Sequence, residues 1–203
     1  MTLRRYVTVL AAVTLFVAAS PALGGPDHHH GHQKPCHPTP EQRREAAAFA
    51  RVTKASSAER YASPTAALAD HFEPFVDTYR AVHHYINYSN YYDWRILDPE
   101  RPEALVYANT YSGPKLIGVM YSMEDPGRKP PDMGGCITQW HTHPMCKSPV
   151  GYSHIWEGDC PPGWQEDGHT ELMLHVWTVP MQGGPYAFHP DAKWNCWPEP
   201  QPC

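Results

Sequence analysis

Beyond its first two dozen residues this chain has no long apolar run, which excludes a bundle of membrane-spanning helices. It also has no block of lysine and arginine. The 203 residues carry 16 basic and 21 acidic side chains, a formal charge of −5. Without a basic patch dense enough to follow a phosphate backbone, nucleic acid is not expected as a partner. No Cys-x-x-Cys pair is present, so a structural zinc knot or a thioredoxin-type redox pair has no support. The chain also lacks a Ser-His-Asp order, a phosphate loop and a dinucleotide fingerprint, so the enzyme classes built on them gain nothing here.

What is present begins with an export signal. Arg4 and Arg5 precede an uncharged apolar run over 6–19, and Ala22 and Gly24 supply the small residues of a cleavage site. Residues 1–24 are therefore expected to be removed, with no stable membrane insertion afterwards. Removal takes two basic residues and no acidic one, moving the charge to −7. The expected destination is secreted, periplasmic or extracellular.

All six cysteines, Cys36, Cys136, Cys146, Cys160, Cys196 and Cys203, lie after that signal. An even count in an exported chain reads as disulfides. Cys146 with Cys160 is expected to bracket one loop, and Cys196 or Cys203 to tie down the tail.

The remaining chain, 39–203, reads as one domain behind a flexible lead-in at 25–38. That lead-in carries His28, His29, His30 and His32, which suit loose metal binding or a solvated tail. A helical segment spans 39–75. Thr39, Pro40 and Gln42 form a capping-box pattern that opens a helix to about Ala62, and Ser63-Pro64 opens a second, ended by Pro74. Ala46, Phe49, Ala50 and Tyr61 make its apolar stripe.

A β-region follows over 104–190. Strands are expected at 104–110, 114–123, 136–144 and 171–180, with long loops at 124–135 and 145–170 and a Cys/Trp/Pro tail at 191–203. With 23 prolines and 14 glycines, turns are many and elements short. No helix-length segment separates the strands, so the sheet should be antiparallel. The fold class is α+β, mainly β: N-terminal helices packed on a barrel or sandwich, stabilised by disulfides.

The stretch CITQWHTHP at 136–144 puts two imidazoles one residue apart. On a strand, side chains alternate, and same-face neighbours stand about 6.6 Å apart. Gln139, His141 and His143 would share one face. In 171–180, Glu171, Met173, His175 and Trp177 share another. If the two faces meet, His141, His143 and His175 converge on one transition-metal ion, with zinc or copper the best matches. His84 or Glu171 would add a fourth ligand or steady a ligating ring, and Met145 and Met173 would favour copper. The bland alternative is a pair of surface histidines and a satisfied core histidine.

Gly135, His141 and His143, spaced Gly-x5-His-x-His, resemble the opening of the first cupin motif. That resemblance implies a small antiparallel barrel holding a metal on both histidines, with His175 as the later histidine. The motif's glutamate is missing, since positions 147 and 148 are Lys and Ser, and the later Pro-x-Gly is absent. His-Thr-His-Pro at 141–144 is also similar to the core of zinc-dependent deubiquitinase-type metallopeptidases. Ser153 falls one place late for that pattern, Trp156 stands where its acid belongs, and Glu124 upstream lies in a turn. Over about 45–123, HHYINYSNYYDWRILDPERPEALVY and LIGVMYSM look like a group of exported bacterial proteins without an assigned activity. This implies secretion and a shared fold, and it draws attention to His84.

Three functions fit these residues. One is a secreted metal-binding protein with a closed histidine site. Another is a cupin-like metalloenzyme with an open site and Glu171 as acid–base group. The third is a metal-free, disulfide-stapled interaction domain using the aromatic patch Tyr85, Tyr88, Tyr91, Tyr92 and Trp94.

Overall fold

The computed structural model describes residues 36–77, 80–125, 127–151, 153–155 and 159–194. The expected export signal, the His28–His32 cluster, Cys196 and Cys203 lie outside them.

Helix α1 (Pro40–Ser57) starts where its cap chemistry demands. The Gln42 N–H donates to Thr39 Oγ1 at 3.2 Å, and the Thr39 N–H donates to Gln42 Oε1 at 2.9 Å. The helix buries Ala46, Ala50, Thr53 and Ser57, a stripe with helical period. It ends at Ser57, short of Ala62. The chain turns there so that Tyr61 can bury its ring against Phe72. Helix α2 (Pro64–Ala69) is capped by Ser63 and closes at Asp70.

The main sheet is five-stranded and antiparallel in the order β1 (Glu73–Pro74), β2 (Val82–Ile86), β3 (Ala104–Thr110), β4 (Gly113–Ser122), β8 (Met173–Trp177). A short helix, α3 (Tyr88–Tyr91), follows β2. The second sheet has the order β6 (Ser153–Ile155), β5 (Pro144–Lys147), β7 (Gln165–His169). Its strands occupy much of the region expected to be loop, 145–170. Among the described residues β1 and β8 do not pair, so the sheet stays open and the expected barrel, cupin-like or otherwise, does not close.

One face of the main sheet packs on the helices. Leu105, Tyr107, Val119, Tyr121, Leu174 and Val176 meet Ala46, Ala50 and Ala67 there, and each fully buried large side chain contributes about 1.5–3 kcal/mol. The other face carries Ala104, Val106, Met120, Met173 and Trp177. Between Val106 and Tyr107 the register slips by one, a β-bulge that leaves Ile117 unpaired on β4.

The stretch 136–144 is not a regular strand. Gly134 and Gly135 take left-handed backbone (φ 81° and 58°) and lead into a single 3₁₀ turn at Gly135–Ile137. This turn docks on α1, where a Cβ on Gly134 would stand 2.8 Å from the Ala46 Cβ. A disulfide from Cys36 to Cys136 ties it down, and Cys146–Cys160 closes the far side as expected. The two histidines of 141–143 thus sit on a segment anchored at both ends by disulfides.

Candidate metal centre

The His141 segment runs antiparallel to the start of β8. The His141 N–H donates to the Met173 carbonyl at 2.9 Å, and the Met173 N–H returns a 2.8 Å bond to the His141 carbonyl. The His143 N–H donates to Thr170 Oγ1 at 2.9 Å. This pairing fixes which way the rings point. Trp140 packs towards the helix-side core, whereas His141 and His143 turn to the opposite side, towards His175 on β8. The face assignment made from alternation survives because the chain stays extended even without a full ladder.

His141, His143 and His175 are all buried, and each offers a ring nitrogen within 4.8 Å of the other two. Bonds from imidazole to zinc run about 2.0–2.1 Å, so small ring rotations let one ion reach all three. His141 Nδ1 lies 2.8 Å from the Gln139 carbonyl. That carbonyl accepts a hydrogen bond from Nδ1–H, which leaves the Nε2 lone pair directed to the cluster. His141 Nε2 and both ring nitrogens of His175 have no hydrogen-bond partner although they are buried. Each such group costs about 1–3 kcal/mol in a folded protein unless something satisfies it. Orphaned nitrogens on two of the three converging rings are the strongest sign that an ion belongs there.

Burial sets the electrostatics. It pushes His143 down to about 3, His175 well below its ordinary value, and His141 below it as well, with the neighbouring imidazoles acting in the same direction. The rings are therefore neutral at physiological pH, the form that binds a metal ion.

The walls come from Trp177, on the strand face expected to carry His175, and from Phe188, which the sequence did not single out. Trp177 stacks on His175 with ring centroids 5.1 Å apart, and Phe188 covers His141 at 4.1 Å. The Trp177 indole N–H donates to the Ala187 carbonyl at 2.7 Å, which holds the Phe188 segment over the cluster.

His84 on β2 stands beside the triad, its ring 6.0 Å from that of His175. Its Nδ1 pairs with Asp77 Oδ2 at 2.5 Å, and its N–H donates to Asp77 Oδ1 at 3.1 Å. Burial acts to raise the Asp77 carboxyl, but the His84 contacts more than offset it and hold it below the usual range. This is the carboxylate–imidazole arrangement that orients ligating histidines. The neighbouring His83 faces the other way, against Tyr107.

Glu171 is exposed and contributes to the wall of a cavity of about 330 Å³ that also reaches His84 and His143. With burial as the larger cause, it holds the nearby Tyr91 hydroxyl above the ordinary tyrosine range, and it is not part of the three-histidine cluster. Tyr88, Tyr91 and Tyr92 line the same cavity, Tyr85 packs against Tyr107, and Trp94 is exposed. Met145 and Met173 also line it. His189, left unassigned by sequence, is exposed with its ring 6.4 Å from that of His143.

No family model, characterised protein or solved structure matches this chain. Its function has to be read from the cluster itself.

Proposed function

We propose that this chain is an exported protein that binds one transition-metal ion, zinc or copper, through His141, His143 and His175. The observation that carries this reading is the convergence of three buried neutral imidazoles, with nitrogens of His141 and His175 that have no hydrogen-bond partner. His84 is the proposed fourth ligand through Nε2, because its Nδ1 is engaged by Asp77. Two disulfides and an N-terminal export signal support an oxidising destination. The tail histidines 28–32 would supply at most loose additional binding.

A metalloenzyme is the second reading, favoured by the cavity that reaches His143 and His84. In it Glu171 would be the acid–base group at the cavity wall, and a metal bound at the triad would supply Lewis acidity.

The test is elemental mass spectrometry of the full chain expressed through an oxidising export route without an affinity tag. Near-stoichiometric metal should survive deletion of 28–32 and disappear in His141→Ala/His143→Ala. Metal that leaves with the tail would remove the support for a strand site. Turnover of any substrate that depends on both the triad and Glu171 would move the reading to the enzyme.

A further inference from the structure

His143 belongs to two neighbourhoods. Its ring joins the triad, and the residue also lines a second cavity, of about 410 Å³. Four more side chains able to hold a cation line that cavity: Asp159, Glu166, His169 and His189, all of them exposed. The His189 ring stands 6.4 Å from that of His143, hardly farther than the 6.1 Å between His143 and His175. By the same measure His143 is 4.9 Å from His141. Imidazoles therefore follow one another from exposed His189, through His143, to the buried pair His141 and His175. On β7, Glu166 and His169 stand 3.6 Å apart and add a carboxylate and a further imidazole to the same wall.

We propose that this cavity is the loading route of the metal centre. An incoming divalent cation is held briefly by His169, His189 and the two carboxylates, and is then passed to the triad through His143. The inference rests on the metal reading and adds to it the path that the ion takes. Each transfer forms one metal–nitrogen bond as another breaks, so no redox change or proton acceptor is needed.

The charge of the cavity suits this role. Two carboxylates line it, and none of its described lining residues is lysine or arginine, so cations are concentrated there. Among the described residues only the triad gathers three such donors around one point. The donors of the cavity are spread out, which fits a passing ion better than a resident one. The cavity of about 330 Å³ also reaches His143, but its walls are mainly aromatic and apolar, with Phe75, Tyr92 and Met120 among them. Such walls give a hydrated cation little to replace its water.

The experiment uses the full-length chain with His28, His29, His30 and His32 replaced by serine, so that capture by the tail does not mask the step. Stopped-flow absorption follows Co(II) entering the triad, with His141→Ala/His143→Ala as the baseline. Competition with a chromogenic chelator gives release and affinity. His169→Gln/His189→Gln should slow both entry and release about tenfold. A route changes both rates by one factor, so affinity should stay within about threefold, whereas loss of a ligand would weaken it. Asp159→Asn/Glu166→Gln should slow entry and reduce its dependence on ionic strength. Tyr92→Ala, in the wall of the apolar cavity, should leave both rates within about twofold. Circular dichroism checks that each variant folds. A fall in affinity as large as the fall in entry rate, or equal slowing in Tyr92→Ala, overturns the route. Triad loading at an unchanged rate in His169→Gln/His189→Gln overturns this inference alone. Absence of triad-dependent loading in the parent overturns the metal reading with it.

Discussion

Trp177 lies 18° from parallel with the ring of His175, and its indole also covers Gly118 on the neighbouring strand. A Cβ built on Gly118 would stand 2.7 Å from Trp177 Cε3. The absent side chain at 118 therefore lets the indole reach across β4 and steady the imidazole. The same indole holds the Ala187 carbonyl, so one ring links the sheet to the segment that covers His141.

Gly118→Ala should displace this ring, because the clash is with a rigid aromatic edge and not with a flexible side-chain end. The expected loss of stability is about 1–3 kcal/mol, read as a lower Tm. Metal occupancy should fall with it. An unchanged Tm and full occupancy would mean that Trp177 does not position His175.

Asp77→Asn should cost about 1–3 kcal/mol, since Asp77 is buried and accepts from both the backbone and the ring of His84. If His84 is the fourth ligand, metal affinity should also fall about 10- to 100-fold. Competition with a chromogenic chelator separates the two effects. Lost stability with unchanged affinity would leave the ion with three protein ligands.

Acid should destabilise the metal-free protein. The unfolded chain takes up protons near the ordinary histidine value of 6.5, whereas burial holds His143 at about 3 and His175 well below 6.5. Above 6.5 the rings are neutral in both states and contribute no slope. Between 6.5 and about 3 the unfolded state binds more protons, so stability is lost as pH falls. Denaturant midpoints across this window should fall steeply in the parent protein and less steeply in His143→Gln. Equal slopes would place His143 in a more solvated setting. Metal should be released over the same window, because protons compete for the same nitrogens.

Removing the Cys36–Cys136 bridge by serine substitution should cost about 2–5 kcal/mol. Because Cys136 lies in the turn that leads to His141, metal affinity should weaken even in conditions where the variant remains folded. Opening Cys146–Cys160 tests the other end of the same segment. Intact affinity in both would show that backbone pairing to Met173 and Thr170 is sufficient to hold the two rings.

Much of this centre was legible in the sequence because its causes are local. Alternation on extended chain puts His141 and His143 on one side and Trp140 on the other, whatever lies beyond. The same rule places His175 beside Met173 and Trp177. The Thr39–Gln42 cap is equally local, and so is the pairing of Cys146 with Cys160 across 14 residues. The extent of strand 136–144 was misjudged because Gly134 and Gly135 permit a left-handed turn that composition alone does not reveal.

Other features depend on contacts between distant segments. The Cys36–Cys136 bridge spans 100 residues and exists because α1 docks on that turn. Asp77 reaches His84, and Phe188 reaches His141, only after the chain has folded back on itself. Glu103 lost its proton-releasing character through burial, which no neighbour in sequence announces. By itself the sequence determined the donor types, their alternation and the cysteines available for disulfides, since these follow from covalent order and strand geometry. Only the tertiary structure decided that three imidazoles meet, that the sheet stays open, and that the Glu103 carboxyl is buried, because register and burial are set by packing between elements far apart in the chain.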